Sequence, residues 1–163
     1  MNLIANFVSL IGCCLMVAVG FIKKKERVLL VQCVQITFQG AAHLLLGAAG
    51  GFACSVVSIV RNLAFVKCKP TVYLKVGFIL IQVAMTLCLG AFTPIEIIPI
   101  AATVVFNWFL DTNNPVVFKI VNIAAQSMWV FYDLYYGNYV AVTFGCMAVL
   151  SNFGGIWLIC KKK

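Results

Sequence analysis

Seven times along this chain a run of apolar residues continues for about the length that crosses a bilayer, and each run stops at a short cluster of Lys, Gly, Pro or Asn. The runs cover residues 3–22, 28–47, 51–66, 72–92, 93–110, 116–136 and 139–159. A span needs about 20 mainly apolar residues, and within hydrocarbon only helices and closed barrels satisfy every backbone N–H and C=O. Runs this long are helices rather than barrel strands. A buried soluble core does not account for them: 64% of the chain is hydrophobic, 10% is charged and the mean hydropathy is +1.08, outside the range of ordinary soluble domains. The expected fold class is an all-α polytopic membrane protein, and 163 residues leave no room beside seven spans for a soluble domain.

The net charge of +8, from 12 Lys and Arg against 4 Asp and Glu, would suggest a nucleic-acid partner in a soluble protein. Here the placement of the charges gives orientation instead, and no nucleic acid is expected. Short cytoplasmic loops collect Lys and Arg. With seven spans, Lys23, Lys24, Lys25, Arg27, Lys67, Lys69, Lys161, Lys162 and Lys163 all fall on one side, and Arg61, Lys75 and Lys119 lie within helices near that same end. The expectation is an N-terminus outside and a C-terminus in the cytoplasm. The first run follows Met1-Asn2-Leu3 without a basic leader, so it reads as the first helix rather than a cleaved signal. Most of the eight cysteines lie inside apolar runs without metal or CxxC spacing, as buried free thiols do.

Polar residues interrupt this apolar pattern in a regular way. At about 100° per residue, Gln32, Gln35, Gln39 and His43 fall within an arc of about 80°. After the glycine-rich break from Gly47 to Gly51, Ser55, Ser58 and Asn62 share one face of the next run. Ninety residues on, Asn122, Gln126, Trp129 and Asp133 form a second stripe, Gly137 breaks it, and Asn152 follows. At this offset Gln32 pairs with Asn122, Gln39 with Trp129, His43 with Asp133, Asn6 with Glu96, Cys13 with Thr103 and Asn62 with Asn152. Polar faces meet polar faces. The pattern predicts two parallel three-helix repeats, residues 1–70 and 93–163, joined by a linker helix at 71–92, because an odd linker keeps the two triplets parallel.

Polar side chains in membrane helices are costly without water or a partner, and interhelical hydrogen bonds return only about 0.6 kcal/mol on average. Several on one face point to a hydrated cavity; the alternative is that they pin helices together. Gln32, Gln39, Ser58, Asn62, Asn122, Gln126, Trp129 and Asn152 are the candidate solute-binding residues. His43 and Asp133, toward the outer ends of their helices, read either as a proton-linked pair or as an edge hydrogen bond. Glu96, sharing a face with Thr103 and Asn107, reads either as a helix-terminus cap or as a gate at the outer mouth. Arg61 is expected to snorkel to the inner surface, and Pro99 to act as a hinge within the fifth helix. Trp108, Trp157, Tyr132, Tyr135, Tyr136 and Tyr139 read as interfacial aromatics.

These residues carry a family resemblance. His43-Leu44-Leu45-Leu46-Gly47 followed by Arg61-Asn62, the segment Pro94-Ile95-Glu96-Ile97-Ile98-Pro99 with Thr103, Trp129 with Asp133, and Gly137-Asn138 with Asn152 resemble the bacterial inner-membrane YgjV family over nearly the whole chain. The resemblance implies a multi-pass protein of the inner (cytoplasmic) membrane and no assigned activity. More distantly, the layout is similar to the SWEET and PQ-loop transporters, which implies a solute site between the triplets that includes Asn62, Asn152 and Trp129. The first helix lacks that group's Pro-Gln motif. The function expected is a small transporter or facilitator of a polar, uncharged solute by alternating access, with the bilayer and that solute as its partners, no cofactor or metal, and self-association left open. The rival is a non-transporting membrane scaffold or receptor. An enzyme is not expected, since no nucleophile–base or metal constellation is present.

Overall fold

A computed structural model of the chain describes residues 2–19, 25–68, 71–89, 93–109, 112 and 114–161. Lys23, Lys24, Lys69, Lys162 and Lys163, on which part of the expected orientation rests, lie outside the described residues. Among the described residues the structure is all-helical, with seven α-helices: α1 Asn2–Val19, α2 Lys25–Leu45, α3 Ala49–Lys67, α4 Val72–Cys88, α5 Ile97–Phe109, α6 Pro115–Tyr135 and α7 Tyr139–Lys161. A 3-10 turn, Pro94–Glu96, leads into α5.

Local chemistry sets the helix ends. Asn114 caps α6, its side-chain oxygen accepting from the N–H groups of Val116 and Val117, and Pro115 supplies a first residue with no N–H to satisfy. The break between α2 and α3 is shorter than the glycine run suggested, because Gly50 and Gly51 already belong to α3. Gly47 alone turns the chain, at φ +74°, and Gly137 does the same between α6 and α7 at φ +74°. Each turn is closed alike: Ala48 N–H donates to His43 O, and Asn138 N–H to Asp133 O, both at 2.9 Å.

Packing arranges six helices in a closed ring, α1 against α2, α2 against α3, α3 against α5, α5 against α6, α6 against α7 and α7 against α1, while α4 lies outside, against α3 and α5. Residues 90 apart make corresponding contacts across this ring. Asn6 on α1 reaches the α6–α7 turn, donating to Gly137 O (3.2 Å) and accepting from Val140 N–H (3.1 Å). Its counterpart Glu96 lies so close against Gly50, at the start of α3, that a side chain at Gly50 would collide with its carboxylate. The α2–α3 crossing is made close by Gly40, where a Cβ would come 2.8 Å from Ser55 Cβ; at the equivalent α6–α7 crossing the glycine is on the other helix, and a Cβ on Gly145 would come 2.6 Å from Val130 Cγ2.

The ring is inverted relative to a water-soluble bundle. Large apolar side chains such as Leu3, Leu80, Phe131 and Leu150 face outward, whereas His43, Ser58, Arg61, Asn62, Gln82, Glu96, Asn107 and Asp133 are buried. Only the end away from the two glycine turns has a conventional apolar core, where Leu29, Val57, Phe65 and Phe78 pack together with Phe106 beside them. Among the described residues two helices, α3 and α7, are long and apolar enough to cross a membrane on length and composition alone, and shorter apolar stretches run over Leu3–Met16, Leu29–Leu45, Val72–Cys88 and Pro94–Phe109. At 13 residues α5 is about 20 Å long, short of the roughly 30 Å hydrocarbon core.

Candidate functional site

The ring surrounds a half-open cavity of about 680 Å³ lined from all six of its helices and by no residue of α4. A volume of this size lies within the ~300–1,000 Å³ of small-molecule sites. Gln32, Gln39, Ser58, Asn122, Gln126, Trp129 and Asn152 line it, joined by Gln35, Ser55, Arg61, Thr103, Lys119 and Ser151. The helical stripes therefore converge on one space. Gln39 is fixed by α1, its carbonyl accepting from the Ser9 hydroxyl (3.1 Å) and its amide donating to Cys13 Sγ (3.1 Å). Asn152, at the cavity wall, donates to Ala148 O of its own helix (2.9 Å).

Asn62 does not line the cavity. It is fully buried behind Arg61, and its Oδ1 accepts from both Arg61 Nε (3.2 Å) and Nη2 (3.0 Å). Arg61 in turn does not snorkel. Its side chain is 4% exposed, faces the cavity, and lies with the guanidinium carbon 5.4 Å from the centre of the Phe106 ring. The paired third-helix asparagines expected from the SWEET-like layout are thus replaced by an unequal pair, Asn152 at the wall and Asn62 as the brace of an arginine.

His43 and Asp133 meet at the glycine-turn end of the cavity. His43 Nε2 is 2.9 Å from Asp133 Oδ1, and the same oxygen accepts from Asn138 Nδ2 (3.1 Å). Both residues are buried, and Trp129 stacks on the imidazole with ring centroids 5.5 Å apart and planes 12° apart. Burial of this pair, with its face covered by an indole, sets it apart from an edge hydrogen bond in wet headgroups.

Glu96 is likewise held by side chains rather than by a helix terminus. Its Oε2 accepts from the Tyr132 hydroxyl (2.9 Å) and its Oε1 from the Tyr136 hydroxyl. Tyr132, fully buried instead of interfacial, also accepts from Gly51 N–H (2.8 Å), one of the first N–H groups of α3 that its own helix cannot satisfy. A Cβ at Gly51 would collide with both the Tyr132 and His43 rings, so the glycine is what lets α6 approach. Pro99 falls in the first turn of α5, where a missing N–H is tolerated. Tyr135, Tyr139, Trp108 and Trp157 are exposed. All eight cysteines are free; Cys13, Cys33 and Cys54 are buried, and Cys54 bonds Thr103 at 2.7 Å.

No curated protein and no solved structure matches this chain. A family model described as "bacterial inner membrane protein" matches residues 3–163, and with an apolar exterior around a polar, multi-helix interior the chain belongs to the Imp-YgjV family.

Proposed function

We propose that the protein moves a small polar solute across the inner membrane by alternating access, α1–α3 shifting against α5–α7 around the cavity while α4 links the two halves. In this reading all seven helices span the bilayer, the glycine turns lie outside and the basic end faces the cytoplasm. The observation that carries the proposal is the convergence of stripe residues from six helices on one cavity of metabolite size.

The distribution of contacts between the halves supports a cycle of gates. At the glycine-turn end they are joined by His43 with Asp133, Gly51 with Tyr132, and Asn6 with the turn at Gly137–Val140. Toward the other end the halves meet through the Arg61–Phe106 contact and through Phe106 packed beside the Leu29–Val57–Phe65–Phe78 cluster. Hydrogen bonds joining the halves at one end and apolar packing at the other are consistent with a carrier closed at the glycine-turn end.

The test uses Gln126→Cys and Asn152→Cys, each in a background lacking the native cysteines, with a membrane-impermeant thiol reagent applied to vesicles of both orientations. Both positions should label, faster from the cytoplasmic face. Exclusion of the reagent from both faces would favour the scaffold reading, in which the stripes only bind helices to one another.

A further inference from the structure

We propose that the solute is an anion bearing a carboxylate or phosphate, with Arg61 as its main ligand and Lys119 as a second positive group in the same cavity. This rests on the transport reading of that cavity and replaces the expectation of an uncharged solute.

The first ground is the state of Arg61. A guanidinium carries five N–H donors and is charged at any relevant pH. Here Nε and Nη2 each donate to Asn62 Oδ1, a neutral acceptor, and the face of Phe106 covers one side. The remaining donors have no protein acceptor among the described residues. No carboxylate pairs with the arginine: among the described residues the close contact of a basic side chain with a carboxylate is that of His43 with Asp133. A charge buried without a counter-ion is strongly unfavourable, and in membrane proteins such groups mark ligand and ion pathways. The arginine is nonetheless held in place, braced by Asn62 from behind and open to the cavity in front.

The second ground is Lys119, on α6. It lines the same cavity, and its stem and ammonium lie against Gly155 of α7, where any side chain would displace them. The acidic group that reaches the cavity is Asp133, and its Oδ1 is already engaged by His43 and Asn138. The cavity therefore carries excess positive charge inside an apolar shell, where low-dielectric walls focus the field on an entering anion. An arginine fork matches carboxylate and phosphate oxygens in a bidentate manner. A soluble anion is favoured over a lipid headgroup because both cations face the inside of the ring, while its outer surface is apolar.

The experiment uses the full chain in an uncharged detergent with Trp108→Phe and Trp157→Phe, so that Trp129 in the cavity wall is the remaining tryptophan. Its fluorescence is quenched with neutral acrylamide, iodide and caesium at constant ionic strength. Acrylamide should quench, and iodide should quench several-fold more strongly than caesium. Arg61→Gln should bring iodide down toward caesium while leaving acrylamide unchanged, and Arg61→Lys should keep most of the iodide effect. Lys119→Gln, farther from the folding risk of a buried arginine, should lower it in part. Succinate or inorganic phosphate should protect Trp129 from iodide in the parent and not in Arg61→Gln. Caesium quenching that equals iodide quenching, with acrylamide effective, would overturn the anion assignment and leave the cavity intact. Protection by added phosphatidylglycerol but not by succinate or phosphate would overturn it in favour of a lipid headgroup. Failure of acrylamide itself would overturn the transport reading, and this one with it.

Discussion

Removing a single oxygen tests whether the two halves are latched as described. Tyr132→Phe deletes a hydroxyl that accepts from Gly51 N–H at 2.8 Å and donates to Glu96 Oε2 at 2.9 Å, in a residue with no exposed surface. The ring stays, so its packing on Trp129, His43 and Tyr136 is preserved. Each interhelical hydrogen bond in a membrane protein is worth about 0.6 kcal/mol on average and up to ~1.7, and a buried group left unsatisfied costs about 1–3 kcal/mol. Two bonds lost together, with a helix-start N–H and a carboxylate oxygen stranded, give an expected loss of about 1–3 kcal/mol. Tyr136→Phe removes one bond to the same carboxylate at a half-buried site, where water replaces it, and should cost less than about 1 kcal/mol. Reversible unfolding by sodium dodecyl sulfate in mixed micelles measures both. A double-mutant cycle with Glu96→Gln should show coupling to Tyr132 of at least about 0.5 kcal/mol. If Tyr132→Phe costs no more than Tyr136→Phe, or is additive with Glu96→Gln, the hydroxyl does not hold α3, α5 and α6 together.

Asp133→Ala breaks the latch at its buried hydrogen bond to His43, and labelling of Gln126→Cys from the external face should rise several-fold in that background if the latch is the outer gate. Gly47→Ala should cost about 1–2 kcal/mol from backbone strain alone, since a Cβ there meets nothing within 4 Å; Gly47→Asn should cost less in the same unfolding assay. Gly145→Ser should destabilise by about 1–3 kcal/mol through collision with Val130. Adding Val130→Gly, which reproduces the Gly40–Ser55 arrangement of the other half, should recover part of that loss.

Helical periodicity made the stripes legible, because a hundred-degree step stacks Gln32, Gln35 and Gln39 on one face whatever the neighbours are. The same 90-residue offset relates Asn6 to Glu96, Gly47 to Gly137, and the Gly40–Ser55 crossing to that of Val130 with Gly145. For Arg61, the distance from Lys67 says how far its head must travel to water but not which way it points. Cys54, Ser58 and Arg61 share an arc of about 60° on α3, and that arc was the signal for the cavity wall. Nearness to a helix end suggests an interfacial aromatic at Tyr132, but its place beside Trp129 and Asp133 on α6 puts it in the interior. Gln82, a fully buried amide, shares with Lys75 and Thr86 an arc of about 40° on α4, a stripe that the 90-residue pairing passes over because α4 has no counterpart in it.

The outlying helix gives the ring two unlike seams. Where α3 meets α5, α4 lies across the joint like a strap, packed on both, and Lys75 Nζ donates to Trp108 O (3.0 Å) to fasten it. Where α1 meets α7 no other described helix packs across the joint, and Asn6 pins it near the glycine turns. In the alternating movement proposed above, a strap along one edge would place the spine at α3–α4–α5 and the widest excursion at α1 and α7. The side entrance that such an opening creates would face the lipid rather than the water.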